Sequence, residues 1–456
     1  MIRLRDYQQR AIDEARDAFR THRAVLFQLP TGGGKTVTAS TVVHGAAQKR
    51  NRVWWLTHRR ELAAQASRTF YDLGIPHGLV QAGTVTDPNA LVQVASIQTI
   101  ARRLDKLPEP ALIVFDEAHH IGAAQWDQVF NHHRRAKILG LSATPCRLDG
   151  QGLGRWFGHM VEGPTVRELI DNGSLCDFRL FAPSVPDLSG VGSLAGDFKS
   201  GALAKAMDRP AIVGDAIGHY RHLCPGKRAV VFAAGVANSQ SIVAQFNAAG
   251  IPAEHVDGSM PAVERDSIVD RFRRGETLIL SNADLFGEGF DVPAIEAVIL
   301  LRPTKSLSLY LQQVGRALRP MPGKDVAIIL DHAGNSLRHG LPDDEREWSL
   351  EDREKRAKRE ALETPVKQCE ECFFVYRPAP KCPCCGYAPP VQAREIEQIE
   401  GTLAEVKRAE PRAKFREQGR AGSLDDLIQL GRERGYKSPE FWARKVWASR
   451  QGRAAA

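Results

Sequence analysis

Between residues 1 and 335, short apolar runs alternate with segments whose apolar residues recur at helical spacing. This alternation predicts parallel sheets whose strands are joined by crossover helices. The strands predicted in a first series are 24–29, 53–57, 91–95, 111–115 and 137–141, and those in a second series are 228–232, 277–281, 297–301 and 326–330. They are too many for one sheet, and a stretch rich in Gly, Pro, Ser and Asp separates the two series, so we expect two tandem α/β lobes.

Two of the intervening helices have clear ends in the sequence. One is expected to begin near Arg59 and to stop at Gly74, and another runs from about Asn238 to Gly250. Glycine commonly follows a helix because it adopts the left-handed conformation without strain. After residue 338 the chain becomes densely charged, then cysteine-rich, then polar and basic, which indicates smaller elements beyond the lobes.

The segment "LPTGGGKTVT" (residues 29–38) lies where the first predicted strand turns into a helix. Glycines at such a turn let backbone N–H groups point at an anion, and the helix N-terminus adds its positive end. Lys35 would reach the β- and γ-phosphates of a nucleotide, and Thr36 would hold Mg²⁺. Leu29 stands where the full P-loop pattern has glycine, so an ordinary glycine turn is the alternative. The predicted nucleotide-binding residues are Pro30, Thr31, Gly32, Gly33, Gly34, Lys35 and Thr36.

An acidic pair follows another predicted strand in "ALIVFDEAHH". Asp116 and Glu117 would lie at the carboxyl end of that strand, where open parallel sheets bind their ligands. Asp116 would hold Mg²⁺ together with Thr36, and Glu117 would polarise the water that attacks the γ-phosphate. The alternative is two surface acids at a strand end.

Residues 116–119 spell DEAH, and with them the chain resembles superfamily 2 helicases and translocases. Further segments follow the order of that superfamily, namely "LRDYQQ", "THRRELAAQ", "VASIQTI", "LSATP", "NADLFGEGFDVP" and "QQVGRALRP". The resemblance implies two RecA-like lobes and an adenine contact by Gln8. It further implies cofactor-binding positions in the cleft at Gly289 and Asp291, of which Asp291 is a ribose or coupling contact. It also implies that the nucleotide site is coupled to the nucleic acid through His119, Ser142 and Thr144.

The same resemblance assigns nucleic-acid contacts to Thr57, Arg59, Arg60, Gln98 and Thr99. Arg59 and Arg60 stand at the N-terminus of a predicted helix, where positive charge opposes the helix dipole. A bound phosphate would relieve that conflict, and phosphate contacts supply most sequence-independent affinity for nucleic acid. The alternative is an exposed basic first turn.

The segment around "QQVGRALRP" predicts a helix with two different faces. Ser306 can cap this helix, and its apolar face consists of Leu307, Tyr310, Leu311 and Val314. Gln312, Arg316 and Arg319 recur at i, i+4 and i+7, so they share the other face. Arginines in the lobe that lacks the P-loop suit the arginine-finger role, completing the ATP site when the lobes close. Gly315 is costly inside a helix unless a ligand or another backbone approaches it closely, and a surface salt-bridge helix is the alternative.

Five of the eight cysteines lie in "CEECFFVYRPAPKCPCCGYAPP". Cys369 and Cys372 form one C-x-x-C pair and Cys382 and Cys385 form a second, which together offer the four thiolates of a closed structural zinc site. Rubredoxin-type iron is the alternative metal. Cys384 is a spare thiol between the predicted ligands.

Charge and hydropathy limit the remaining choices. The 456 residues carry a net charge of +8, which permits a polyanionic partner. No apolar run approaches the roughly 20 residues that span a bilayer, and the first residues lack the apolar core of a signal peptide. We therefore expect a cytoplasmic protein with no membrane association.

The expected divisions of the chain are an ATP-binding lobe (1–160), an interlobe linker (161–205), a second lobe (206–338), a charged helical connector (339–366), a zinc ribbon (367–390) and a helical C-terminal region (391–456). The run "LLRPTKSLSLYLQQVGRALRP", followed by "DHAGN" and the cysteines, resembles RadD-type bacterial and phage DNA-repair helicases.

This narrower resemblance implies a helicase or translocase that uses ATP, Mg²⁺ and Zn²⁺ in DNA repair, recombination or phage DNA metabolism. It implies single-stranded or branched DNA as substrate, with a single-strand-binding or repair protein as a partner. RNA stays an alternative substrate. The motor of a restriction system and a nucleic-acid-binding scaffold with a vestigial ATPase are the alternative functions.

Overall fold

The computed structural model describes residues 4–81, 84–145, 147, 151–183, 186, 188–194, 197–207, 210–283, 295–351, 366–389, 421, 423–434, 438–440, 442–444 and 446–447. These residues fall into two compact units, Met1–Pro389 and Pro390–Ala456. Within the described residues, every helix is too short or too polar to cross a lipid bilayer.

The first lobe is built on an eight-stranded sheet. Its strands are β1 (Ala24–Gln28), β2 (Val53–Thr57), β3 (Gly78–Gln81), β4 (Thr84–Val85), β5 (Val92–Ser96), β6 (Leu112–Asp116), β7 (Lys137–Ser142) and β8 (His159–Glu162). They lie in the order β4-β3-β5-β2-β6-β7-β1-β8, and all neighbours are parallel except β3 and β4. The helices of this lobe are α1 (Asp6–Thr21), α2 (Lys35–Gln48), α3 (Arg60–Asp72), α4 (Ile97–Ala101), α5 (Ala124–His132) and α6 (Val166–Asp171), with a 3-10 turn at Ala118–His120.

The second lobe is built on a six-stranded parallel sheet. Its strands are β9 (Asp177–Phe181), β12 (Ala229–Ala233), β13 (Ala253–Val256), β14 (Ile279–Asn282), β15 (Ala297–Leu301) and β16 (Val326–Asp331). Between β9 and β12 the chain forms a separate hairpin of β10 (Ser193–Leu194) and β11 (Asp197–Phe198). The sheet order is β13-β14-β12-β15-β16-β9. Its helices are α7 (Ser200–Met207), α8 (Pro210–Leu223), α9 (Val236–Ala248), α10 (Ala262–Arg274), α11 (Leu307–Ala317) and α12 (Asn335–His339).

The predicted architecture of two parallel α/β lobes is confirmed. Every predicted strand is present, with ends that differ from the prediction by at most two residues. The inner strands β1, β2, β5, β6, β12 and β15 are buried along their whole length. Such burial is expected where helices cover both faces of a parallel sheet, and it explains why these strands read as continuous apolar runs.

The stretch 161–205, expected to link the lobes, instead contributes strands to both sheets. β8 continues through Glu162 in the first sheet, and β9 forms the edge of the second sheet beside β16. Only the last two residues of β9 are buried. An edge strand of this kind lacks the apolar run by which the inner strands were predicted.

Residues 340–351, expected to begin a helical connector, contain no helix. Leu350 packs against the core of the first lobe, and its carbonyl accepts the backbone N–H of Gly154 at 2.8 Å. Beyond it, β17 (Lys367–Gln368) and β18 (Val375–Tyr376) form an antiparallel pair at the cysteine-rich segment. In the second compact unit, α13 (Leu424–Glu433) begins after Ser423, whose side chain accepts the N–H of Asp426.

Candidate functional site

The glycines after β1 hold a conformation and a spacing that other residues would disturb. Gly32 and Gly34 have φ of 86° and 80°, in the left-handed region. Gly34 precedes α2 as its N-cap, and a Cβ atom on it would overlap the side-chain amide nitrogen of Gln8. A Cβ atom on Gly32 would lie 2.6 Å from Leu175. The loop therefore needs glycine for both its dihedral angles and its close neighbours.

The predicted adenine contact, Gln8, packs directly against this loop. Its Oε1 accepts the backbone N–H of Arg5 at 3.0 Å, which leaves the side-chain amide nitrogen facing Gly34. The neighbouring Tyr7 donates its hydroxyl to the carbonyl of Gly33 at 3.0 Å. The sequence prediction missed Tyr7, which fixes α1 against the loop.

Leu29, the departure from the full P-loop pattern, is a core residue. It is 1% exposed, and its N–H donates to the carbonyl of Ser142 at the end of β7. The side chain fills the space beside Gly163, where a Cβ atom would overlap it. The glycine loop therefore begins directly after Leu29, which extends the buried strand β1 by one residue.

Lys35 is half-buried at the start of α2, with Nζ 3.3 Å from the carbonyl oxygen of Leu29. Burial lowers the pKa of its ammonium group, the negative charges of Glu117 and Asp116 raise that pKa, and the positive charges of Arg316 and Arg319 lower it. These groups come from both lobes. The structure therefore brings the predicted phosphate, acid and arginine residues into one electrostatic neighbourhood.

Glu117 follows β6 with φ 55° and ψ 56°, a left-handed conformation that is uncommon outside glycine. Its Oε2 lies 3.4 Å from Nδ1 of His119. Among the described residues, that oxygen is buried without a hydrogen-bond partner. Strained backbone of this kind persists where the surroundings hold it and is concentrated at functional sites. Asp116, the last residue of β6, is also buried.

A chain of polar contacts leads from Glu117 into the second lobe. Nδ1 of His119 lies 3.3 Å from Oγ of Ser142, and that hydroxyl donates to the carbonyl of Thr144 at 2.6 Å. The Thr144 hydroxyl donates at 2.7 Å to Oγ of Ser308, in the first turn of α11. The three predicted coupling residues are therefore in contact with one another. Ser308, their partner in the second lobe, was missed because no local pattern marks it.

Helix α11 presents the predicted arginine face to the P-loop. Gln312 and Arg316 are buried, and Arg319 lies two residues beyond the end of the helix. A Cβ atom on Gly315 would lie 2.7 Å from Cβ of Thr31. The close neighbour of this glycine is therefore the Thr31 side chain, whereas a ligand or another backbone was expected.

Two buried side-chain atoms in the described part of the chain, one in each lobe, lack hydrogen-bond partners. Among the described residues, Nε2 of Gln312 and Oε2 of Glu117 are buried without hydrogen-bond partners. Buried polar atoms of this kind are normally paired, so each suits contact with a polar ligand or water. The charged residues of this region include Lys35 and Arg316, which suit the phosphates of a nucleotide, and Asp116, which suits its Mg²⁺.

Lys324 is a buried residue that the sequence analysis did not identify. Its ammonium donates to the carbonyls of Ile295 at 2.8 Å, Arg319 at 2.9 Å and Ala317. These acceptors lie at the end of α11 and just beyond the segment 284–294. A cation at a helix C-terminus is favourable because it satisfies the last carbonyls and complements the helix dipole.

The predicted nucleic-acid contacts of the first lobe form a group at the ends of β2 and β5. Nε2 of Gln98 donates to the carbonyl of His58 at 3.1 Å, and the Thr57 hydroxyl donates to the carbonyl of Arg59 at 3.0 Å. Thr57 is buried, and so is Thr99, whose hydroxyl pairs with Ser96 at 2.8 Å. Their side chains shape the two loops, whereas Gln98 is exposed.

Three predicted residues lie wholly or partly outside the described part of the chain. Arg60 begins α3, but its side chain is outside the described part of the chain. Gly289 and Asp291 both lie outside the described residues. Their roles stay predictions.

Four cysteines converge as the spacing predicted. The Sγ atoms of Cys369, Cys372, Cys382 and Cys385 lie within 4.8 Å of one another. Cys384 points away, since its Sγ accepts Nη2 of Arg179 at 2.9 Å. The geometry therefore separates the spare thiol from a set of four thiols that suits a structural metal.

The cysteine segment also packs against the second lobe. The backbone N–H of Ala182 donates to the carbonyl of Phe373 at 3.0 Å, and the rings of Phe181 and Phe374 lie 5.5 Å apart. Phe374 contacts both the core of the second lobe and the cysteine cluster. Arg377 pairs with Asp343 and Asp344 at 3.0 Å. These aromatic side chains serve the interface with the lobe.

Two family models match successive parts of the chain. The family described as "Type III restriction enzyme, res subunit" matches residues 1–147, and the "Helicase conserved C-terminal domain" matches residues 213–321. The matched ranges include the P-loop and DEAH residues in the first case and α11 in the second.

Known proteins are similar over longer stretches. A 51.5 kDa protein of a Lactococcus phage (isolate 7-9) is 33% identical over 437 residues, which is 93% of this chain and 93% of the phage protein. IRC3 of Saccharomyces cerevisiae, whose name is that of an ATP-dependent helicase, is 34% identical over 357 residues. That match covers 73% of this chain and 52% of the yeast protein, so the chain spans about half the length of that relative.

A solved structure shares the fold. A fragment of an HsdR subunit of a type I restriction enzyme from Vibrio vulnificus YJ016 has a TM-score of 0.59 at 22% identity, covering 74% of this chain and 65% of that one. The Type ISP restriction-modification enzyme LlaBIII, solved bound to DNA, has a TM-score of 0.55 at 21% identity, covering 73% of this chain and 28% of that enzyme. At these identities the likeness concerns the fold alone. The matched domains, their order and the relative of similar length lead to one conclusion: the chain belongs to superfamily 2 of the ATP-dependent helicases and translocases.

Proposed function

We propose that the protein is an ATP-driven motor that acts on DNA. The observation that carries this proposal is the meeting of the lobes at the P-loop, where Gly315 of α11 packs against Thr31 and Thr144 donates to Ser308 at 2.7 Å. A site assembled from two lobes makes hydrolysis depend on their closure. A motor requires this dependence, because each cycle of hydrolysis must change the arrangement of the lobes.

In this proposal each residue has one task. Lys35 and the glycine loop bind the phosphates, and Thr36 and Asp116 hold Mg²⁺, which neutralises phosphate charge when bound. Glu117 orients the attacking water and accepts its proton at a carboxylate oxygen. The arginines of α11 donate to the charge that develops on the transferred phosphoryl group.

Four observations favour DNA as the track. The chain carries a net charge of +8, and the loops that bear Arg59 and Gln98 lie together at the ends of β2 and β5. The family matched by residues 1–147 carries the name of a restriction enzyme, and the structurally similar LlaBIII is bound to DNA. A role in repair, recombination or phage DNA metabolism fits the RadD-type resemblance and the phage relative.

A restriction-system motor is the second candidate, favoured by the name of the family model that matches residues 1–147. Such a motor works with a nuclease, and the sequence offers no convincing pair of acids with a lysine for that role. The phage protein matches this chain over 93% of both lengths, whereas the match with LlaBIII covers only 28% of that enzyme. This difference makes the restriction-system motor the second candidate.

Steady-state ATP hydrolysis tests the proposed function. The rate is compared without nucleic acid and with single-stranded DNA, branched DNA, duplex DNA and RNA, with heparin as a control for polyanions. We expect DNA to stimulate hydrolysis more than RNA or heparin does. Stimulation by RNA alone would replace the proposed track, and absence of hydrolysis under all conditions would favour the vestigial scaffold.

We also propose that Cys369, Cys372, Cys382 and Cys385 bind one Zn²⁺ per chain. The cysteine-rich segment, expected at residues 367–390, is too short to bury a core of its own, because domains below about 40 residues usually need metals or disulfides. Metal binding and local folding are then one event. Cys382→Ser is expected to lose the metal, whereas Cys384→Ser keeps it because Cys384 faces Arg179.

Elemental analysis of both variants and of the wild type measures this directly. Basal ATP hydrolysis should survive in Cys382→Ser, because every residue assigned to the ATP site lies in the lobes. Metal lost from Cys384→Ser but kept in Cys382→Ser would show that the ligand set is wrong. Wild-type protein that holds no metal when prepared without chelator would remove the zinc site.

A further inference from the structure

Two histidines outside the predicted site connect the loop after β2 with the DEAH turn. The rings of His58 and His120 have centroids 4.3 Å apart, and those of His119 and His120 are 4.4 Å apart. Trp126 lies beside His120 at 6.4 Å. The three imidazole rings therefore form an unbroken row at the carboxyl ends of the neighbouring strands β2 and β6.

Each end of this row touches a residue with an assigned task. At one end, the carbonyl of His58 accepts Nε2 of the exposed Gln98, and Arg59 follows in the chain. At the other end, Nδ1 of His119 lies 3.4 Å from Oε2 of Glu117, which lacks a hydrogen-bond partner among the described residues. The orientation of the carboxylate that would position water thus depends on the ring of His119.

We propose that the His58–His120–His119 row transmits DNA binding to Glu117, with His58 and His120 acting as positioning residues. The inference rests on the proposed function, since it takes the loop of His58 and Gln98 as a DNA contact. A shift of that loop displaces His58, and ring contact passes the shift through His120 to His119. Glu117 responds because its Oε2 lies 3.4 Å from Nδ1 of His119, the last ring of the row.

Packed side chains carry coupling when they form a contiguous network, and single changes along such a network alter coupling by about 2- to 30-fold. Ring contact, rather than a titrating nitrogen, is the carrier in this proposal. The proposal therefore distinguishes between replacements that keep a flat ring at position 120 and replacements that remove it.

The test compares His120→Ala with His120→Phe in the full chain. We expect His120→Ala to keep the basal rate of ATP hydrolysis but to lose stimulation by single-stranded DNA by about 2- to 30-fold. His120→Phe keeps a ring in contact with both neighbours and should retain most of the stimulation. His132→Ala, at the end of α5, is the matched control and should behave as wild type.

A second measurement is independent of turnover. Coupling between two ligands is reciprocal, so an ATP analogue that resists hydrolysis should change the affinity for a fluorescent DNA strand less in His120→Ala than in wild type. In the double variant with His58→Ala, the loss of coupling should not exceed that of the single variants, because both remove one contact. A merely structural role would lower stability and the basal rate without this pattern.

The outcomes separate the inference from the proposed function. If DNA fails to stimulate the wild type, the proposed function is wrong. If DNA stimulates the wild type and His120→Ala equally, the row does not transmit binding. If His120→Phe loses as much stimulation as His120→Ala, ring contact is not the carrier and the inference is overturned.

Discussion

Lys35→Ala protein is expected to lose ATP hydrolysis, and Glu117→Gln protein is expected to lose it while still binding ATP. Lys35 is half-buried at the N-terminus of α2, where the charges of both acids act on it, so its removal deletes the cation that meets the phosphates. Glutamine keeps the size of Glu117 but cannot accept a proton from water. General-base groups contribute about 10²–10⁴-fold to rates, so a loss of that order is expected for Glu117→Gln.

Measurement of hydrolysis and of binding of a fluorescent ATP analogue distinguishes the two variants. Lys49→Ala is a matched control, because Lys49 is an exposed lysine at the other end of the same helix. Its rate and affinity should equal those of wild type. Full turnover by purified Glu117→Gln protein would exclude Glu117 as the water-positioning group, and loss of ATP binding by that variant would give it a ground-state role.

The inner strands and the site residues of the first lobe could be predicted because their signals are local. A buried parallel strand must be apolar along its length, and a phosphate loop must combine glycines with lysine and a hydroxyl within a few residues. The stretch 24–36 contains both signals, and the structure places β1 and the glycine loop there. Local requirements of this kind leave a readable pattern in the sequence.

Other features depend on contacts between distant residues, and these leave no pattern. β9 is recognisable only through its pairing with β16, since most of its residues are exposed or half-buried. Ser308 is one serine in an apolar helix until Thr144 is placed against it, 164 positions away in the chain. The same holds for Lys324, whose three carbonyl acceptors define its place.

Gly315 lies between these two cases. Its cost inside a helix is visible in the sequence and indicates a close neighbour, but the sequence does not say which neighbour. The structure identifies Thr31 of the P-loop. A glycine that conflicts with its own helix was therefore, together with the arginines of the same helix, a sign in the second lobe's sequence of where the first lobe would meet it.

Arg316→Ala and Arg319→Ala are expected to bind ATP within a few-fold of wild type and to lose hydrolysis by about 10³–10⁵-fold. An arginine from the second lobe acts on charge that develops in the transition state, so its loss lowers turnover more than affinity. Both arginines lower the pKa of Lys35. Removal of either arginine therefore raises the pKa of Lys35. The lysine side chain should stay protonated and continue to bind the phosphates.

Gly315→Ala tests closure of the lobes while both arginines remain in place. An added Cβ atom would lie 2.7 Å from Cβ of Thr31, so the lobes could not approach as closely as they do here. Alanine favours a helix more than glycine does, by about 1 kcal/mol, so α11 itself should not be weakened. We expect unchanged or higher thermal stability together with a loss of turnover, measured beside the exposed control Arg273→Ala.

The arginine variants and Gly315→Ala together separate two explanations of the α11 residues. If the arginines act on the transition state at a closed interface, all three variants bind the ATP analogue and fail in single-turnover hydrolysis. If Arg316→Ala and Arg319→Ala instead lose binding and keep their rate, the arginines are ground-state contacts. If Gly315→Ala hydrolyses ATP at the wild-type rate, the contact between Gly315 and Thr31 is not needed for catalysis, and hydrolysis does not depend on this closed arrangement of the lobes.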